Sequence, residues 1–305
     1  MVDRTQHVMG MPVRAIVRGD DALDAAVDGA FAWLRWVDAT FSPYDARSEI
    51  SRWGRRELAL RDAHPLVREV LDRCELLRAE TGGAFDIRFR RDAPPDPCGL
   101  VKGWALERAG ARLAAAGARD FCLDAGGDVL VRGGPWRVGI RHPLRRDRLA
   151  GVLELRDGAV ATSGAYERGR HILDPRSGRP PAGVLSVTVV GPDLGTADAY
   201  ATAAFALGED GPAWTATLAG YDAMTIVPGG RARTSVTTGY SPDSPTFGTD
   251  RVLMTPGFGR HVAGASLAAS LGQKANRSVT ICRRGTPERA SVARVASVIA
   301  GGPQT

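Results

Sequence analysis

Lysine is almost missing from this chain. Of its 40 basic residues only Lys102 and Lys274 are lysines, so guanidinium carries the positive charge and a lone ammonium in a glycine-rich stretch stands out. Cysteine is scarce too. Cys74, Cys98, Cys122 and Cys282 are scattered without a C-x-x-C pair, which argues against a structural zinc site and a disulfide framework. Reduced, buried thiols are expected. No run approaches 18 apolar residues, which removes a membrane-spanning helix. The opening MVDRTQHVMGMPV lacks the basic end and apolar run of a secretory signal, so a cytoplasmic location is expected and a membrane partner is not. The Walker loop, G-x-S-x-G, H-E-x-x-H and any Ser-His-Asp spacing are also missing, which excludes the commonest nucleotide, serine-hydrolase and zinc-protease signatures.

What is present suits a globular chain of 305 residues, with 44% hydrophobic and 24% charged side chains, and rules out wholesale disorder. The formal charge of +6 raises the question of a polyanionic partner. Its distribution answers it. Residues 231–305 hold 10 Lys and Arg against 3 Asp and Glu, whereas residues 1–230 hold 30 against 31. The body is near neutral and the excess sits in the last quarter. There, TSVTTGYSPDSPTFGTD is rich in Ser, Thr, Gly and Pro, and the arginines beyond it follow only a weak period. The division expected is a folded body over 1–230 and a disordered basic tail over 231–305. With few aromatics, such a tail supports at most weak, salt-sensitive binding, so nucleic acid is not expected as a partner.

Within the body, Leu23, Val27, Phe31, Leu34, Val37 and Phe41 share one helical face over residues 22–41. FSPYDARSEI reads as a turn entering a short helix. Pro65 starts another, with Leu66, Val70, Cys74 and Leu77 on its apolar face and Gly82-Gly83 as its stop. A third spans about 102–116. FCLDA, DVLVRG, WRVGI, VLELR, AVATS and LSVTVV then read as strands between glycine-rich turns, followed by a helix over 197–207 and a strand over 222–227. Helices first, hairpin-spaced strands next and a late helix indicate an α+β fold with a largely antiparallel sheet.

Four clusters could carry chemistry. In DPCGLVKGWALERA, Gly99 and Gly103 permit close backbone approach, and Lys102 at a helix entrance could meet an anion beside backbone N–H groups; the same residues also suit a plain capping turn. In FCLDAGGDVLVRGG, Asp124 and Asp128 flank a Gly-Gly turn and either solvate a hairpin or face a ligand. In VATSGAYERGRHILDPRSGRP, His171 lies three residues before Asp174-Pro175 among Arg168, Arg170, Arg176 and Arg179, where it could orient a phosphate or take a proton near neutral pH. In GTADAYATAAFALG, Thr196 is a candidate N-cap, and Asp198 and Thr202, four apart on a helix, present a carboxylate and a hydroxyl on one side. That hard-oxygen pair suits Mg²⁺, although an acidic residue near a helix start also serves the dipole. Together the clusters point to Mg²⁺-assisted chemistry on a phosphorylated ligand, and no further.

The same clusters, in this order and with FSPYDARSEISRW, TGGAFD, WRVGIRHP and SVTVVGPD between them, resemble the ApbE family of FAD:protein FMN transferases from residue 8 to about residue 230. The resemblance implies an α+β, T-fold-related architecture of largely antiparallel sheets flanked by helices, with FAD in a central cleft. It implies Mg²⁺-dependent transfer of the FMN half of FAD onto a Ser or Thr hydroxyl of an acceptor flavoprotein, with release of AMP. Carried over residue by residue, it implies metal contacts from the Gly99 carbonyl, Asp198, the Ala201 carbonyl and Thr202. It implies FAD contacts from Met9, Tyr44, Ala84, Phe85, Asp86, Asp96, Lys102, His171 and Ile172. Proton removal from the acceptor hydroxyl falls to His171, with Asp174 orienting it or sharing the task. Asp96-Pro97-Cys98-Gly99 stands where the family commonly has D-L-G-G, giving a stiffer loop that carries a thiol. Hydrolysis of FAD to FMN and AMP in the same pocket, or FAD binding without catalysis, are the other readings of these residues.

Overall fold

The computed structural model describes residues 1–90, 93–165, 172–235 and 279–282. The chain opens with a hairpin, β1 (Val2–Val8) and β2 (Met11–Arg18). Its turn residues Met9 and Gly10 have φ of 54° and 71°, the pair of left-handed conformations that matches strand twist in a two-residue turn. The Met9 N–H donates to the Asp38 carboxylate at 3.0 Å, which holds a side-chain-bearing residue in a conformation glycine would adopt more cheaply. Neither strand stands out in the sequence, because β1 buries only its end residues, Val2 and Val8, and shows no apolar alternation between them.

Helices follow: α1 (Asp24–Phe41), α2 (Glu49–Gly54), α3 (Pro65–Glu80) and α4 (Cys98–Ala115). Ser48 caps α2 through its hydroxyl, and α3 starts with Pro65 at its first position, both as composition directs. Helix α4 starts at Cys98, earlier than the position read from the sequence. Gly99 and Lys102 therefore lie in its first turns rather than in a preceding loop.

The strands β3 (Asp120–Ala125), β4 (Asp128–Arg132), β5 (Trp136–His142), β6 (Arg145–Leu155), β7 (Gly158–Gly164) and β8 (Ser186–Gly191) come next. They are followed by α5 (Leu194–Ala206), the short α6 (Gly211–Thr215), β9 (Asp222–Ile226) and β10 (Ala232–Ser235). A last strand, β11 (Val279–Cys282), pairs with β5. An eight-stranded sheet runs β1-β2-β3-β4-β7-β8-β9-β10 and a three-stranded one runs β11-β5-β6. Every strand pairing among the described residues is antiparallel. The boundary expected at residue 230 falls inside the β9–β10 hairpin, so the sheet runs on to Ser235, and β11 lies within the stretch expected to be a disordered tail.

Two cores flank the large sheet. Phe121, Leu123, Leu130, Val187 and Val189 face the helices, packing with Phe31, Leu34, Leu106 and Leu113. Cys122, Val129, Val131 and Val190 face the small sheet and meet Trp136, Val138, Ile140 and Leu153. A sheet covered on both faces has no need of polar alternation, which is why these strands read as short continuous apolar runs. Helix α5 is buried nearly all round, with alanine at 197, 199, 201, 203, 204 and 206. Its slenderness lets it lie between α4 and the sheet. Asp193, not Thr196, caps it, the carboxylate accepting the Thr196 N–H at 2.6 Å. Among the described residues no helix is long and apolar enough to cross a membrane.

Candidate functional site

One end of the large sheet brings together several of the sequence-predicted residues: Phe85, Gly99, Lys102, Asp198 and Thr202. The β3–β4 turn, Gly126-Gly127, lies against Met11 at the foot of the first hairpin: a β-carbon on Gly126 would sit 3.1 Å from the Met11 sulfur. The start of α4 points at the same end. A β-carbon on Gly99 would lie 3.2 Å from the Phe85 ring and 3.3 Å from the Thr202 hydroxyl. This brings the GGAFD turn, the first turn of α4 and the middle of α5 into contact. The Ser163 and Thr202 hydroxyls are 3.3 Å apart, which ties the end of β7 to the group.

Lys102 leans from α4 toward the sheet. Its Nζ lies 2.5 Å from Asp128 Oδ2 and 3.8 Å from Asp198 Oδ1. Asp128, at the head of β4, is fully buried, and Asp198 on α5 is 3% exposed. The Lys102 side chain keeps 22% of its surface exposed. Asp128 Oδ1 accepts the Thr162 N–H at 3.4 Å. Asp198 Oδ2 is buried with no hydrogen-bond partner. Burial, then the nearby Asp128 carboxylate, push the Asp198 carboxyl well above the ordinary carboxylate range, while Lys102 and the Gly103 amide pull the other way.

Two buried carboxylates and one ammonium leave an excess negative charge that burial makes costly. A proton or a cation must carry it. A divalent cation fits what is there: an unpartnered carboxylate oxygen on Asp198, the Thr202 hydroxyl one turn later and the Gly99 backbone against that hydroxyl. Ala201, the other expected metal contact, is fully buried on α5 beside Thr202. Among the described residues no group of three or more His, Cys, Asp or Glu gathers as a metal cluster. Such a sparse donor set suits Mg²⁺, which keeps waters and takes ligand phosphates to complete its shell.

Of the other expected site residues, Asp96 accepts the Cys98 N–H at 3.0 Å, just ahead of α4, whose N-cap position is Pro97. Asp86 takes the Arg78 guanidinium at 3.0 Å and the Arg88 N–H at 2.8 Å. Ala84 and Phe85 are buried, and Tyr44 is 85% exposed on the loop between α1 and α2. Ile172 packs half-buried against the main core. Both oxygens of Asp174 are held by Arg176, at 2.9 and 3.1 Å, and that hydrogen bonding holds the Asp174 carboxyl below its ordinary range. The Arg176 side chain lies 3.9 Å from where a Gly83 β-carbon would be, so the DPRSG loop rests on the TGGAF turn. His171 lies outside the described residues.

Asp128 is the residue the sequence undervalued. It reads equally as a hairpin-solvating aspartate, yet it is fully buried and paired to the lone lysine of the body. The available signal is its place at the head of Val129-Leu130-Val131, a strand with no exposed face. A second, half-buried pair carries no sequence signal. Glu107 on α4 meets Asp193 at the start of α5 and accepts the Leu194 N–H at 2.5 Å.

These features define an α+β protein whose antiparallel sheet, with α4 and α5 above it, holds a lysine beside two buried carboxylates. The ApbE family model matches residues 9–91 and 89–225. A FAD:protein FMN transferase from Treponema pallidum is 30% identical over 248 residues, covering 71% of this chain and 68% of that protein. One from Rhodobacter capsulatus is 46% identical over 123 residues, covering 36% of this chain and only 23% of that protein's length. The crystal structure of the ApbE protein from Thermotoga maritima superposes with a TM-score of 0.67 at 24% identity, covering 77% of this chain and 96% of that one. The chain belongs to the ApbE family.

Proposed function

We propose that the protein transfers the FMN moiety of FAD to a Ser or Thr hydroxyl of an acceptor flavoprotein, releasing AMP, with Mg²⁺ as its metal. The observation that carries this reading is the pair of buried carboxylates, Asp128 and Asp198, beside the partly exposed Lys102, each carboxylate with an oxygen lacking a hydrogen-bond partner, in a chain of the ApbE family. Lys102, on the face of α4 nearest the sheet, supplies a positive charge to the diphosphate, and the N–H groups at the start of that helix add theirs. Asp198, Thr202 and the carbonyls of Gly99 and Ala201 would hold Mg²⁺, which when bound neutralises the diphosphate and stabilises charge as the bond to AMP breaks. Met9, Tyr44, Ala84, Phe85, Asp86, Asp96 and Ile172 line the flavin nucleotide. His171 takes the proton of the acceptor hydroxyl. Asp174, held by Arg176 with a lowered proton affinity, fits orienting His171 better than serving as the base.

Incubation with FAD, Mg²⁺ and a protein bearing a flavinylation motif tests this. The expected result is a fluorescent band that survives denaturing electrophoresis. No band with several competent acceptors ends the proposal, and release of free FMN without acceptor would make the chain an FAD pyrophosphatase instead.

A further inference from the structure

We propose that Asp128 is a positioning residue that holds the Lys102 ammonium off Asp198 and so keeps Asp198 open to the divalent cation. The inference rests on the reading of Asp198 and Thr202 as metal ligands. Lys102 has two anionic neighbours within reach, and the distances are unequal: 2.5 Å to Asp128 Oδ2 against 3.8 Å to Asp198 Oδ1. The choice is built into the fold. Asp128 begins a buried strand, and the Thr162 N–H fixes its other oxygen, so Oδ2 is presented to α4. Asp198 comes from α5, across the crossing where Gly103 brings the two helices into backbone contact.

An ammonium seated directly on Asp198 would compete with a metal for the same carboxylate, and both interactions are strong where water is scarce. Asp128 offers the lysine a better seat. Asp198 Oδ2, like Asp128 Oδ2, is buried without a hydrogen-bond partner, an expensive state, and with the single ammonium nearer Asp128 the charge of Asp198 is left for another cation. Asp128 is fully buried and Asp198 nearly so, so what separates their roles is the nearer seat of the ammonium on Asp128.

The test is the variant D128N, which keeps the side-chain shape and removes its charge. Expected are a crystal structure of the metal-free variant with Lys102 Nζ in direct contact with Asp198, and a Mg²⁺ dissociation constant, measured by titration calorimetry, raised at least about tenfold. The double variant K102M/D128N, with no ammonium left to occupy Asp198, should regain most of that affinity. Lysine remaining off Asp198, or unchanged Mg²⁺ binding in D128N, overturns the inference. A double variant as weak as D128N, with both variants melting cooperatively, overturns it too, since the loss would not then run through the lysine. Wild-type protein that binds no Mg²⁺ removes the metal reading itself, whereas normal wild-type binding with an unaffected D128N removes only the positioning role of Asp128.

Discussion

Gly103 of α4 lies so close to the Leu194 carbonyl at the start of α5 that a β-carbon there would come within 2.5 Å of the oxygen. The reciprocal approach is as close in kind, with a β-carbon on Gly195 3.2 Å from the Trp104 backbone nitrogen. This backbone-to-backbone crossing sets the separation of the helices that carry Lys102 and Asp198.

Gly103→Ala should therefore push the helices apart. Overpacking against backbone costs about 1–3 kcal/mol, against the gain of up to ~1 kcal/mol that Ala brings over Gly in a helix interior. A net loss of stability in urea unfolding is expected, together with weaker Mg²⁺ binding. A variant as stable as wild type would mean the helices give way without cost.

Glu107 and Asp193 predict a pH dependence. Burial, followed by the hydrogen bond with Asp193, pushes the Glu107 carboxyl up to about 8, while Asp193 stays below its ordinary range, held by Glu107 and Thr196 against its own burial. The pair thus shares one proton at neutral pH and titrates as a unit. Because the folded protein binds a proton that the unfolded chain has released, stability falls as pH rises from about 4.5 to about 8, roughly 1.4 kcal/mol per unit at most. Between pH 7 and 9 the unfolding free energy should fall by about 1 kcal/mol, and Glu107→Gln, which stays neutral, should remove that part of the loss. An identical pH profile in the variant would show that this pair does not titrate there.

Asp198→Ala should abolish FMN transfer without weakening the fold. The carboxylate is buried beside Asp128 and burial opposes its charge, so its removal relieves repulsion while Lys102 keeps Asp128. The expected result is an unchanged or raised melting temperature with no flavinylated product. Full transfer activity in the variant would rule this metal site out.

Cys74, Cys98 and Cys122 should react unequally. Cys74 and Cys122 are buried, and burial pushes the first up to about 12 and the second well above its ordinary value. Cys98 is half-exposed at the first position of α4. A thiol reagent on the native protein should label Cys98 before the other two, and FAD with Mg²⁺ should slow that labelling, as read by peptide mass mapping. Labelling unaffected by FAD would place the flavin away from the start of α4.

The sequence by itself determined the local pieces. Pro65, Ser48 and the glycine pairs marked helix starts and turns, and the apolar periods marked the cores of α1, α3 and the middle strands, because caps, turns and periodicity act over a few neighbouring residues. It also held the cues for the candidate site: a lone lysine in the body, a carboxylate–hydroxyl pair four apart and an aspartate in a GGAFD turn. The tertiary structure decided how these meet. That Asp128 faces Lys102 follows from β4 lying under α4, a pairing between residues 26 apart in the chain whose charge only matters once water is excluded. The first hairpin is hard to see in the sequence because β1 is an edge strand with little to bury. Thr196 suits a cap by residue type, yet Asp193 holds that place because its carboxylate reaches the Thr196 N–H. Near-neutrality of the body could be counted from the sequence. Only the fold shows that inside it two carboxylates are buried around one ammonium, which turns a balanced composition into a site with a charge to satisfy.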